Sequence, residues 1–530
     1  MVSLRTVLFS IVLLSPAVGL LSANDIYVAQ TAQGGGTGAN CSNALAYTYF
    51  NTAANWGTGA SQIGPGTTVH ICGAITIPAG GTAFTFQGSG ASGRPVTLHF
   101  ESGASLSSPN FNPSGAAITI GYSWVVVDGG SNGSIQNTLT GTSGQACPGG
   151  TCSYSSSNEF IYVNGASNVT IQNLSLGVLY DHLSASDDKS DGAGVFINNS
   201  SNVTVNNNAI HDSRYGVFVQ PSNGNSNITV SNNTIYNIDA GTSVGIGNPN
   251  ISFSGFYFYG NQVHDFAKWN TTDYTFHHDG VHIWETQSSD AVASCYIYNN
   301  YFTGDFGHGT SLTYFENEGG SSTHGTCYFF NNVYAPTAST GGNSFGGVWV
   351  ETDGSSTPTV YVYNNTFVGS GLTTFDPLWL ELQNIKATIM NNISYNVGVG
   401  LYTQSSAANP AASDFNLWNT STNGSMFQIN GSSYSLPAWQ TASGLDGHSV
   451  SAAPTLNSDF TLQTTSPAHN LGTNLYSLCN GQANPGLGAL CYDKAGNPRP
   501  STGAWDAGAY QSSASTTVPP NAPLVTLTLN

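Results

Sequence analysis

The sequence predicts an all-β chain wound into a parallel β-helix, a solenoid of stacked coils. Three observations carry that expectation. The first is composition: of 530 residues only 7% are charged, against 39% hydrophobic and 11% aromatic, with 63 glycines. Lys, Glu and Arg, which favour helices, are scarce, while β-formers and turn residues abound. The second is a repeat. Asn168-Val-Thr-Ile-Gln-Asn, Asn202-Val-Thr-Val-Asn-Asn-Asn and Asn227-Ile-Thr-Val-Ser-Asn-Asn share a pattern. It continues in Tyr296-Ile-Tyr-Asn-Asn, Tyr328-Phe-Phe-Asn-Asn, Val360-Tyr-Val-Tyr-Asn-Asn and Thr388-Ile-Met-Asn-Asn. The second Asn falls at Asn208, Asn233, Asn300, Asn332, Asn365 and Asn392, with Asn261 filling the gap, a period of about 30 residues. The third is a column of short alternating runs between those corners, of the type Gly194-Val-Phe-Ile.

A unit of this size holds two or three short strands, and parallel pairing stacks successive coils about 4.8 Å apart. Asn at one corner of every coil has a physical reason. It tolerates the left-handed backbone of a sharp turn, and stacked amides hydrogen-bond from coil to coil. The alternative, a β-sandwich with Asn-rich turns, would not hold one Asn-Asn register through so many units.

Taken in order, residues 1–23 read as a secretory signal: Arg5, the apolar run Val7 to Leu14, and Leu21-Ser22-Ala23 before the cut. Residues 24–155 read as an N-terminal cap and first coils, needed because an open solenoid end exposes unpaired strand edges. Residues 156–405 form the regular parallel β-helix. Residues 406–511 lose the Asn-Asn register and close the other end, and residues 512–530 form a flexible tail. The eight cysteines of an exported chain pair most cheaply as neighbours: Cys41–Cys72, Cys147–Cys152, Cys295–Cys327 and Cys479–Cys491. Spacing alone does not fix that connectivity. The net charge of −19, with eight Lys plus Arg, excludes nucleic acid and anionic membranes as natural partners. No apolar run is long enough to span a bilayer, and a monomer is expected.

The alternating runs are Gly194-Val-Phe-Ile, Gly216-Val-Phe-Val, Gly280-Val-His-Ile, Gly309-Thr-Ser-Leu, Gly347-Val-Trp-Val, Pro377-Leu-Trp-Leu and Gly398-Val-Gly-Leu. Period two points their aliphatic positions inward, and Phe196, Phe218, His282, Ser311, Trp349, Trp379 and Gly400 outward. Two residues on, the outward set is Asn198, Gln220, Trp284, Thr313, Glu351, Glu381 and Tyr402. Just before each run stand Ala193, Tyr215, Asp279, His308, Gly346, Asp376 and Val397. One exterior face thus gathers aromatics, carboxylates and histidines in a protein otherwise poor in charge.

With these features the mature chain resembles the right-handed parallel β-helix proteins of the pectin-lyase-like superfamily. The carriers are the Asn-corner repeats and the ending Ser466-Pro-Ala-His, Gly496-Asn-Pro-Arg-Pro and Trp505-Asp-Ala-Gly-Ala-Tyr510. That ending is similar to the terminal segment of many exported bacterial β-helix proteins. Within the superfamily, Asp279-Gly280 and Gly307-His308-Gly309 resemble polygalacturonase-like hydrolases and carry Asp279 and His308 over as candidates. Position 277 departs as His, an Asp-Asp pair between 279 and 308 is missing, and Asn384-Ile-Lys386 stands where an Arg-Ile-Lys segment would be. The resemblance implies the fold; the superfamily's activities span lyases, hydrolases, epimerases and proteins without catalysis.

The residues themselves suggest acid–base chemistry. His278 and His282 mimic a helical zinc pair, but Asp-Gly and β-branched neighbours make this a turn and strand. Asp279 at a corner, His282 facing outward and His308 one coil on would orient imidazoles for proton transfer. Glu351 and Glu381 would stack about 5 Å apart and repel by roughly 3 kcal/mol at an effective dielectric of about 20. One then stays protonated near neutrality, a general acid beside a carboxylate. Calcium is the rival occupant and would keep both ionised; otherwise no cofactor is required. Phe196, Phe218, Trp284, Trp349 and Trp379 would bind sugar rings. Asp187 and Asp191 resemble half a calcium loop, with Lys189 and Asn198 at unfavourable positions. The expected function is a secreted glycoside hydrolase acting on a polysaccharide. Basic groups near the face are few (Lys189, Lys268, Arg214, Lys386), which disfavours β-elimination. A calcium-dependent, pectate-type lyase and a non-catalytic adhesion solenoid are the alternatives.

Overall fold

The computed structural model describes residues 25–512, apart from 60, 113–114, 140–145, 148–149, 152–158, 180–191, 248–249, 268–276, 287–290, 318–324, 353–356, 383–384, 406–408 and 422–425. The expected signal (1–23), most of the tail (512–530), Asp187 and Asp191 therefore lie outside the described residues.

The chain climbs through stacked coils with three faces. The first face is a 14-stranded sheet, running from Leu45–Ala46 and Asp25–Ala29 at one edge to Ala412–Asp414 at the other. The second and third faces belong to one 24-stranded sheet, because Ala209–Gln220 and Thr234–Ile246 run through both. All coil-to-coil pairs are parallel, and crossovers between parallel strands are right-handed as a rule. The fold is the all-β, right-handed parallel β-helix that the sequence predicts.

Alternation fills the interior. On the first face Val169, Val203, Ile228, Phe256 and Cys295 follow one another inward. Thr170, Thr204, Thr229, Tyr257 and Tyr296 do so outward. The inward rows of all three faces meet in one continuous buried core. Cys295–Cys327 joins adjacent rungs of that row, and Cys41–Cys72 and Cys479–Cys491 are also formed. Cys152 lies outside the described residues, and with it the fourth expected pair.

The Asn-Asn corner divides its work between its two members. The first residue takes the left-handed backbone, with φ of 55° at Asn207, 57° at Asn299 and 61° at Asn391. The second turns inward and builds a buried ladder from Asn208 through Asn233, Asn261, Asn300, Asn332, Asn365 and Asn392 to Asn416. Each amide donates to the next Oδ1 at 3.0–3.1 Å. Each Oδ1 also accepts the preceding backbone N–H, as Asn332 does from Asn300 at 3.0 Å.

The expected closing segment does two things. Residues up to Val450–Ser451 add the last rungs, and the helix Leu436–Ser443 lays Trp439 over Phe427 with ring centroids 5.3 Å apart. Residues 466–511 instead return along the outside of the Asn corner. Arg499 donates to Asn331 Oδ1 at 2.9 Å, and Asn364 Nδ2 to the carbonyl of Asp506 at 3.0 Å.

Candidate active site

The third face places the chemistry, and its register corrects part of the sequence reading. The outward column is Tyr162, Phe196, Phe218, Ser243, His282, Tyr314, Trp349, Trp379 and Tyr402. Phe196, Phe218, His282, Trp349 and Trp379 stand where expected. Ser311 does not: it aligns with Gly346, and its backbone N–H donates to Asp279 Oδ1 at 2.9 Å. Tyr314 holds the outward position, and three coils further on Tyr402 replaces Gly400. His308 correspondingly lies in the turn before that strand rather than stacked on Asp279.

The slip has a local cause. The column of runs begins with a glycine because a methyl group there would strike the next coil's backbone, 2.3 Å from the Gly241 carbonyl at Gly216 and 2.5 Å from the Leu312 carbonyl at Gly280. At Leu312 the glycine is absent, so the pattern slides three residues back to Gly309. The whole rung is misassigned with it, and Glu316 goes unnoticed. The coil of Ser243 is also missing from the sequence reading.

The true second column is Trp284, Glu316, Glu351 and Glu381 on successive rungs. Three carboxylates therefore stack, not two, and Thr313 points inward, donating to Tyr334 at 2.9 Å. Each acid has a different partner. Glu316 is buried and lies 2.8 Å from His282 Nε2. The other side of that imidazole faces Asp279, with Nδ1 3.5 Å from Oδ2. Glu351 accepts the Tyr314 hydroxyl, and a hydroxyl donor favours the charged carboxylate. Burial and the neighbouring Glu316 hold the Tyr314 phenol far above its ordinary range, so it stays a donor. Glu381 is pushed up to about 7, by burial first and by the charge of Glu351 second, with the Trp349 indole opposing.

Asp279 is fully buried and its carboxyl is raised well above the usual range by desolvation, against the Ser311 N–H. His277 closes the other side, 4.0 Å from Asp279 Oδ2. One donor atom each of His277, Asp279 and His282 lies within 4.8 Å of the other two. Imidazoles are poor ligands for calcium, Asp279 is fully buried, and His282 is already engaged by Glu316. The stacked glutamates fit calcium poorly as well. Glu316 and Glu351 already face His282 and Tyr314, while calcium takes six to eight oxygens.

The aromatic ladder is built differently from a sugar platform. Trp349 and Trp379 lie face to face, 4.2 Å apart at 6°. Phe196 and Phe218 do the same at 5.1 Å and 17°. Ring faces are spent on one another, and what the column offers outward is a ledge of ring edges. Trp284 leans back over the small residues of the coil before it, donating to Ser243 Oγ at 3.1 Å. A methyl group at Gly245 would sit 2.2 Å from its ring, so glycine there makes room for the indole.

No protein-family model matches the chain, and no curated protein matches it. Among solved structures it is similar to pectate lyase Pel9A, with 15% identity over 93% of this chain and 98% of that one, at a TM-score of 0.49. It is also similar to a Yersinia enterocolitica family 28 exopolygalacturonase, with 12% identity over 64% and 71% of the two chains, at 0.32. Endopolygalacturonase I from Stereum purpureum gives 16% identity over 62% and 91%, at 0.29.

Proposed function

We propose that the chain is an exported glycoside hydrolase that cleaves a polysaccharide lying against its third face. The single observation that carries this reading is the pair Glu351 and Glu381, on paired rungs but in unlike environments. Parallel rungs are about 4.8 Å apart, close to the roughly 5–5.5 Å between the carboxyl groups of retaining glycosidases. Glu381, protonated near neutrality, is the acid that protonates the departing glycosidic oxygen. Glu351, which accepts the Tyr314 hydroxyl, attacks the anomeric carbon. Water then releases the sugar while Glu381 takes back a proton. Trp349 and Trp379 stand two residues before the carboxylates on the same two strands.

Elimination needs a base for a proton beside a uronate; of the four basic residues expected near the face, Lys189 and Lys268 lie outside the described residues, and the other two are placed elsewhere or paired. Arg214 is paired with Asp239 at 3.4 Å, and Lys386 sits on the first face, exposed. Export is supported by three formed disulfides; no helix of the described residues is long and apolar enough to cross a membrane.

The test is incubation of purified protein with neutral and acidic polysaccharides, with and without added calcium. New reducing ends with retained anomeric configuration, independent of calcium, are expected. Glu351→Gln and Glu381→Gln should each lower the rate at least about 100-fold. Unsaturated products absorbing in the near ultraviolet would make it a lyase. Binding without new reducing ends would make it an adhesion solenoid.

A further inference from the structure

A second cluster of titratable groups lies far along the chain from the carboxylate ladder, on the outer surface of the first face. There the outward column runs Tyr27, His70, His99 and Asp128 on successive rungs. His70 Nδ1 is 2.7 Å from Glu101 Oε1, and its Nε2 is 3.3 Å from Asp25 Oδ1. His99 Nδ1 is 3.4 Å from Asp128 Oδ2. One donor atom each of His70, His99 and Glu101 lies within 4.8 Å of the other two. Two of a chain's twelve histidines thus stand on adjacent rungs with three carboxylates around them.

We propose that His70, His99 and Glu101 bind a divalent transition-metal ion of the zinc type. Imidazole and carboxylate are its ordinary ligands, and two histidines with one glutamate leave a fourth position for water. The outer partners fit the same assignment. If His70 binds through Nδ1 and His99 through Nε2, the remaining ring nitrogens keep their protons and donate to Asp25 and Asp128. Carboxylates in that role fix the tautomer and raise ligand basicity. Tyr27 holds the His70 ring in place by stacking at 4.3 Å and 10°. Asp128 is itself anchored by the Asn173 amide at 2.8 Å. Gly130 keeps the space beside His99 open, since a methyl group there would come within 3.2 Å of its ring. The site is reachable from solvent, with 29% of the His99 side chain and 36% of Glu101 exposed.

The ion would tie together the coils of Thr68–Ile71 and Val96–Phe100, next to the Cys41–Cys72 disulfide. Binding displaces whatever proton lies between His70 and Glu101, so uptake of the ion should release protons.

The test is calorimetric titration of metal-stripped, full-length protein with zinc, together with the visible spectrum of its cobalt complex. One strong equivalent is expected at neutral pH, with tetrahedral cobalt bands and a raised melting temperature. His70→Gln or His99→Gln should weaken binding at least 100-fold, and Asp128→Asn about 10- to 100-fold. Glu101→Gln, at a half-exposed side chain, gives a variant that keeps the fold. His282→Gln is the control for the other histidine group and should leave the titration unchanged. No zinc binding at micromolar concentration, or binding lost in His282→Gln and kept in His70→Gln, would overturn the proposal. Neither outcome bears on hydrolysis at the third face.

Discussion

Glu381 holds its proton for two separable reasons. Burial penalises the charged carboxylate, and Glu351 on the paired rung adds repulsion. Glu351→Gln removes the second and leaves the first. The Glu381 carboxyl should then titrate below 7, a shift that carboxyl infrared bands would show without any need for turnover. In the wild type the sign is set by the acid's role. Glu381 works protonated, so kcat/KM should hold through mildly acidic pH and fall as pH rises past about 7. A flat profile to pH 9 would remove Glu381 as the acid; an unmoved band in Glu351→Gln would leave burial as the sole cause of its raised pKa.

At the scale of the element, the Asn corner shows how much a sequence motif can disclose. Two adjacent asparagines recur because one must accept a left-handed backbone and the other must fill a buried amide ladder. Where only the second job needs Asn, the motif fades: Asn416 extends the ladder, but Phe415 takes the left-handed position with φ of 58°. That coil is invisible to a search for Asn-Asn. The third face was legible in part by the same logic: the runs at Gly309 and Gly398 slipped against their neighbours, and the coil of Ser243 was passed over. His282, Trp349, Glu351 and Glu381 were placed on the correct columns because period two is strict within a strand. Glu316 and Tyr314 were missed because register between coils depends on turn length, which composition does not encode. The ladder also makes a measurable claim. Asn300 donates to Asn332 Oδ1 and to the Phe258 carbonyl, and its own Oδ1 accepts the Asn261 amide and backbone N–H. Asn300→Ala leaves several of these buried groups without partners, at about 1–3 kcal/mol for each group. Denaturant unfolding should register a loss of at least about 2 kcal/mol; an unchanged midpoint would mean the ladder is ornamental.

For the whole molecule, a solenoid has a weakness: each coil touches only its neighbours, so stability is a sum of local terms and coils are free to open piecemeal. The returning segment 466–511 counters this by crossing several coils at once. Lys494 Nζ donates to the Asn299 carbonyl, Arg499 to Asn331, and Asn391 Nδ2 to the Thr473 carbonyl at 2.9 Å. Beneath it Tyr298, Phe330 and Tyr363 pack against Leu475, Leu490 and Trp505. Arg499 is the polar centre of this contact, buried at 2% exposure. Its Nη2 also lies 3.2 Å from the Gly508 carbonyl and 3.4 Å from that of Ala509. Arg499→Met keeps most of the side-chain volume but removes every one of those donors, and hydrogen bonds to a charged group are each worth about 1.5–3 kcal/mol. If the segment clamps the coils together, hydrogen exchange should quicken in the variant at Asn331 and Asn364, while the strands Ser167–Gln172 and Ser201–Asn206 keep wild-type protection. Uniform quickening along the helix would show that Arg499 supports only global stability, and no change anywhere would show that the coils need no clamp.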